Sequence, residues 1–259
     1  MVLKMFGLLS GLGVLVTMML ATVSPVTAAG LVVDLSNDEV EITTDFNGSS
    51  VLMFGAVDLV RDVTSDVVVV VKGPLTAQTV RKKAQVGGVW LNTDGVTFGN
   101  VPAFYAVAAN RPLHKIAAAE IRDGEEIGLE FLRFDPALES AAEPEGKLAE
   151  FHRALIRNKR EAGLYRASLY PLQVLSGKLF RTEIWFPANV ATGAYRVVVY
   201  VLKGGQIIER QAVTLTARKV GVGAEIYRFA HQQSAAYGIA AIIIAVAAGW
   251  LAAAVFRKT

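Results

Sequence analysis

The stretch Asp66-Val67-Val68-Val69-Val70-Val71-Lys72, followed at once by Gly73-Pro74, decides how the rest of the chain is read. A strand with one face in water alternates apolar and polar residues, because successive side chains point to opposite faces. Five valines in a row break that alternation. The pattern therefore predicts a strand buried on both faces, at the middle of a core.

Short apolar runs separated by turn residues lie on both sides of this strand. Upstream are Leu31 to Leu35, Val40 to Phe46 and Val51 to Val57, broken by Ser36-Asn37-Asp38 and Asn47-Gly48. Downstream, Asn92-Thr93-Asp94-Gly95 reads as a hairpin turn and Val101 to Ala108 as a strand. Further strands are expected at Leu179 to Phe186, Tyr195 to Leu202 and Ile207 to Ala217, the last two joined by the hairpin signal Lys203-Gly204-Gly205-Gln206. Pro187 to Tyr195 has the form of the corner that leads into a late strand of an immunoglobulin-like sandwich, where a tyrosine hydroxyl bonds back to the backbone.

Between Leu113 and Tyr165 the pattern changes to alanine, charge and longer spacing. Leu148, Phe151, Leu155 and Ile156 recur at helical intervals, with Pro144 near the start and Gly163 as the C-terminal cap. Arg157, Lys159 and Arg160 fall in the last turn, where cations suit the helix dipole. A second, weaker helix is expected near Ile116 to Ile121. The fold class is thus mainly β: an immunoglobulin-like β-sandwich over 30–231 with a helical insertion at about 113–165. Two separate small domains are the alternative.

Both ends of the chain are apolar. Ala235 to Phe256 holds no charge and is followed by Arg257-Lys258. A helix of that length rises about 33 Å, enough to cross a hydrocarbon core of about 30 Å. The expected span is 234–256, with a cytoplasmic tail at 257–259. At the other end come Lys4, an apolar run from Met5 to Leu20, Pro25 and the small-residue exit Thr27-Ala28-Ala29-Gly30. That order is a secretory signal peptide at 1–29, cut after Ala28 or Ala29. An uncleaved anchor would leave the middle on the same side of the membrane. The tail cations favour a cytoplasmic C-terminus, while Arg218, Lys219 and Arg228 lie on the proposed export side. The signal peptide decides for a periplasmic body on the bacterial inner membrane.

The formal charge of +3 comes from Lys4, Arg257 and Lys258, and the remaining Lys and Arg balance the 23 Asp and Glu. A neutral body does not read as a nucleic-acid binder. Its charges are unevenly placed: Leu31 to Val80 is acidic and Arg166 to His231 is basic, so the two segments pack against one another or the basic end faces anionic headgroups at the membrane. The absence of cysteine excludes disulfides and thiol chemistry.

His114, His152 and His231 are far apart and form no ligand pair, and Asp58, Asp62 and Asp66 lack the spacing of a calcium loop. No nucleophile elbow, phosphate loop or zinc-protease helix occurs. The expectation is a protein without cofactor or metal and without enzymatic activity, a membrane-tethered enzyme being the third reading after a binding or accessory protein and an envelope scaffold.

One polar cluster stands out: Arg81, Lys82 and Lys83 near Trp90, with Tyr105 and Arg111 after it. Fixed cations beside aromatic faces can hold an oxyanion. An edge strand kept soluble by lysines accounts for the same residues. Within the span, Ala241, Ala245, Gly249 and Ala253 recur every four residues, a ridge along which a partner helix or a second copy could approach closely.

Three segments resemble one family. They are Asp66 to Pro74, the basic run before Gly88-Val89-Trp90-Leu91-Asn92, and Val101-Pro102-Ala103-Phe104-Tyr105-Ala106-Val107 followed by Arg111-Pro112-Leu113. Together they are similar to the alphaproteobacterial transmembrane-protein family Alph_Pro_TM. The resemblance implies an exported bacterial domain on a membrane anchor, of no assigned activity. It also implies frequent encoding beside permeases of the sulfite and sulfonate exporter type, which makes such a permease a candidate partner beside the lipid bilayer.

Overall fold

The computed structural model describes residues 30–43, 45–57, 65–176 and 178–256. The expected signal peptide, all but one of the Asp58, Asp62 and Asp66 carboxylates, and the expected tail at 257–259 lie outside the described residues.

Among the described residues eleven strands are formed, in chain order: β1 (Leu31–Leu35), β2 (Glu39–Ile42), β3 (Gly48–Val57), β4 (Ser65–Lys72), β5 (Leu75–Val86), β6 (Val89–Pro102), β7 (Tyr105–Ala109), β8 (Tyr170–Leu175), β9 (Leu179–Pro187), β10 (Gly193–Lys203) and β11 (Gln206–Lys219). Nine of them make one curled sheet in the order β1-β3-β9-β8-β7-β4-β10-β11-β2. Its two ends, β1 and β2, are consecutive in sequence, and β1 lies beside β11. The curl places β1, β3, β9 and β8 across a core from β2, β11, β10, β4 and β7, with only Ala108 and Ala109 pairing to Tyr170 and Pro171 where the two parts join.

The valine strand does what its lack of alternation predicts. Val67, Val69 and Val71 face the inner core, with Met53, Phe180, Ile184 and Phe186 opposite. Val68 and Val70 face a second core, where β7 and β10 pack against Ile127, Leu132, Phe134, Phe151 and Leu155. All five valines are buried because β4 is the middle layer of three.

The third layer is the helical insertion: α1 (Leu113–Ile116), α2 (Ala119–Gly124), short 3-10 turns at Leu129–Phe131 and Leu138–Ser140, and α3 (Glu145–Glu161). In α3, Phe151 and Leu155 are buried. Gly163 has φ +72, its N–H bonds Arg160 O at 2.9 Å, and Leu164 N bonds Lys159 O at 2.9 Å. This is the Schellman closure that the glycine position predicts. The tyrosine corner also forms, with Tyr195 donating its hydroxyl to Ala191 O. Acidic β2 meets basic β11 as the charge asymmetry suggests, Arg218 Nε standing 2.7 Å from Glu39 Oε2.

Two expectations need correction. Asn92-Gly95 is not a turn: β5 and β6 turn at Gly87-Gly88, whose φ values of +60 and +84 suit a two-residue hairpin. Asp94 pairs with Lys82 and Asn92 with Lys83, which leaves Thr93 as an extra residue in a bulge. The run Val101 to Ala108 is likewise two strands, parted at Ala103 and Phe104. One strand, β8, is absent from the sequence reading, since Pro171 at its second position hides the alternation.

After β11 come α4 (Val222–Gln232) and α5 (Ser234–Phe256). The segment Ser234–Ala254 has mean hydropathy 2.1 and none of it is buried within the chain. It is the one described helix long and apolar enough to cross a membrane.

Candidate functional site

The six residues of the sequence-derived cluster do not converge. Arg81, Lys82 and Lys83 lie exposed on β5, in a two-stranded ribbon with β6 that pairs with no other strand. Lys82 Nζ is 3.0 Å from Glu150 Oε1 on α3. Trp90 is exposed beside the Gly87-Gly88 turn. Arg111 is held by Asp66, its Nε donating to Oδ1 at 2.7 Å, and Asn110 bonds the same oxygen at 2.9 Å.

Tyr105 is 0% exposed and sits in the second core. Its hydroxyl donates to Glu126 O at 2.7 Å and accepts from Gly128 N at 2.8 Å. Burial pushes the phenol above its ordinary range, so it stays protonated and acts as a structural bridge. Of the histidines, His152 Nε2 donates to Leu132 O at 2.8 Å and packs on Phe134, fastening α3 to the insertion loop.

What the fold does bring together is a groove of about 510 Å³ between the outer face of β4, β10 and β11 and the loop after α2. Strand register builds its floor: Val198 lies between Val70 of β4 and Ala212 of β11. One row along, Arg196 stands opposite Lys72, and at the other end Tyr200 stands opposite Arg210. A second hollow of about 540 Å³ shares Lys72, Glu126, Arg133 and Arg196, so the concavity runs on along the same edge.

Glu126 is the hub of the wall. It is a non-glycine residue at φ +52, a conformation that costs of order 1–3 kcal/mol and that the surrounding contacts must hold. Its carboxylate meets Lys72 Nζ at 2.5 Å, accepts from Arg133 N at 3.2 Å and faces Arg133 Nε at 3.6 Å. Neighbouring Glu125 accepts from the Tyr200 hydroxyl at 3.0 Å and faces Arg210 at 3.4 Å. Burial, with Glu125 adding to it, raises the Tyr200 phenol above its usual range. Four cations thus border the groove against two carboxylates, and no described residue makes an ion pair with Arg196.

None of these groove residues was singled out in sequence. Lys72 ends the valine run and Arg196 and Arg210 fall on the outward positions of alternating strands, signals that any solvated face shares.

The family model described as "Putative transmembrane protein (Alph_Pro_TM)" matches residues 30–258, which takes in the β body, the insertion and the apolar helix. The chain belongs to that family. In this Alph_Pro_TM protein the match and the one described membrane-length helix agree on a transmembrane protein. No curated protein matches the chain.

Proposed function

We propose that this Alph_Pro_TM protein is an accessory or binding protein of the bacterial inner membrane, without catalytic activity, whose β body stands in the periplasm and serves a membrane partner. The observation that carries this reading is the bare surface of α5: none of the span is covered by the rest of the chain, so lipid or another helix must cover it. Exposed Ile226, Tyr227 and Phe229 on α4, directly before the span, suit the headgroup layer. An anion permease of the sulfite and sulfonate exporter type is the first candidate partner, and a second copy of the chain the next.

We also infer that the body is immunoglobulin-like. The β1-β3-β9-β8 part facing β11-β10-β4, with a tyrosine corner entering β10, supports this reading.

Two tests follow from this reading. A reporter enzyme active only in the periplasm, fused after Gln233, is expected to be active, and silence there with activity of a cytoplasm-dependent reporter inverts the topology. Gly249→Leu, which thickens the Ala241, Ala245, Gly249, Ala253 ridge, is expected to reduce crosslinking of the full-length protein in membranes several-fold. Unchanged crosslinking removes the ridge as the contact.

A further inference from the structure

Some cations on the body are matched by carboxylates. Lys72 is held by Glu126, Arg111 by Asp66, Lys147 by Asp94 and Glu143, and Arg218 by Glu39. The groove over β10 and β11 is lined by more cations than carboxylates. Its two carboxylates are each shared: Glu126 between Lys72 and Arg133, Glu125 between Arg210 and the Tyr200 hydroxyl. The side chain of Arg196, across the strand from Lys72, has neither a hydrogen bond nor an ion pair with any described residue. Positive charge is therefore in excess where the surface is concave.

The floor adds a second requirement. Val198 and Ala212 offer a short apolar strip between the Arg196 end and the Arg210 end. Guanidinium groups bind carboxylate, sulfonate and phosphate oxygens through paired N–H donors. A concavity of about 510 Å³ falls in the size range of small-molecule sites, and its lining is mostly charged and polar, as suits an ionic ligand.

We propose that the groove between β10, β11 and the Gly124 to Arg133 loop binds a small organic oxyanion, a carboxylate or sulfonate. Arg196 holds the anionic head, and the short apolar body lies on Val198 and Ala212. Glu126 positions Lys72 and Arg133 and keeps the mouth open. The site stands apart from the β5-β6 ribbon, where Arg81 and Lys83 are exposed. It also does not depend on which side of the membrane the body lies.

The test is calorimetric titration of the full-length protein in a non-ionic detergent with methanesulfonate, benzenesulfonate and acetate, at an ionic strength held constant with sodium chloride. Saturable binding of at least one of the three is expected, weakened about tenfold or more by Arg196→Ala, as suits loss of a charge-assisted hydrogen bond. Ala212→Trp, which fills the floor without altering any charge, is expected to abolish it, and Lys83→Ala to leave it unchanged. No saturation with any probe, or equal weakening by Lys83→Ala and Arg196→Ala, overturns the proposal. Failure here with an active periplasmic reporter leaves the topology standing, and the reverse result leaves the site standing.

Discussion

Val69→Asp and Val70→Asp, made singly, are each expected to prevent the β body from folding, while Val32→Asp leaves it folded. An aspartate at either of the first two positions would carry a carboxylate into a core with no partner for it. Val69 is 0% exposed and points at Met53, Phe180 and Ile184, whereas Val70 is 1% exposed and points at the insertion. An unpaired buried charge costs about 4–5 kcal/mol or more, the scale of a domain's whole stability of about 5–15 kcal/mol. Val32 is 58% exposed on the outer face of β1, where a substitution of the same chemistry shifts stability by about 0.5 kcal/mol. Protease resistance and near-ultraviolet circular dichroism of the purified full-length protein read the outcome. The adjacency of the two positions is what matters: in a strand buried on one face, one of two successive residues tolerates the charge. A folded, protease-resistant Val70→Asp protein would show that the insertion does not cover β4.

The same distinction explains what could be read from the sequence. Burial on both faces leaves a mark on every residue of β4, so the valine run announced a middle layer before any partner was known. The close of α3 was legible for a similar reason, because Gly163 supplies the left-handed residue that a Schellman closure needs. The hairpin failed where two signals competed. Asn92 to Gly95 carries turn residues, but Gly87-Gly88 places two left-handed glycines together and lets Lys82 meet Asp94 across the strands. The turn chemistry at Thr93 was spent on a bulge. The groove was not legible because register makes it: Lys72, Arg196 and Arg210 come to border one groove only through the pairing of β4 with β10 and of β10 with β11. The left-handed backbone of Glu126 left no trace in composition either. A cation-rich segment such as Arg81-Lys82-Lys83 is conspicuous as a string, yet the fold spreads it along a solvated ribbon.

Tyr105→Phe is expected to destabilise the body by about 2–4 kcal/mol, although it removes a single atom and keeps the ring edge-on to Tyr165. The hydroxyl serves two backbone groups of one loop, Glu126 O and Gly128 N, and both lose their partner when it is removed. A buried group left unpaired costs about 1–3 kcal/mol. Tyr195→Phe, which orphans only Ala191 O, is therefore expected to cost less. The loss from Tyr105 should also be local. Gly128 has φ +118 and Glu126 φ +52, so the loop occupies backbone conformations it would leave if its anchor were cut. Hydrogen exchange at Gly128 is expected to rise well before that of β4, whose amides lie between two layers. The carboxylate of Glu126 would then loosen its hold on Lys72 and Arg133, so one buried oxygen on β7 governs the shape of a groove on the opposite side of the loop. Denaturant unfolding of Tyr105→Phe that matches the parent protein, with unchanged exchange at Gly128, would show that packing alone holds the loop and that the hydroxyl bridge is incidental.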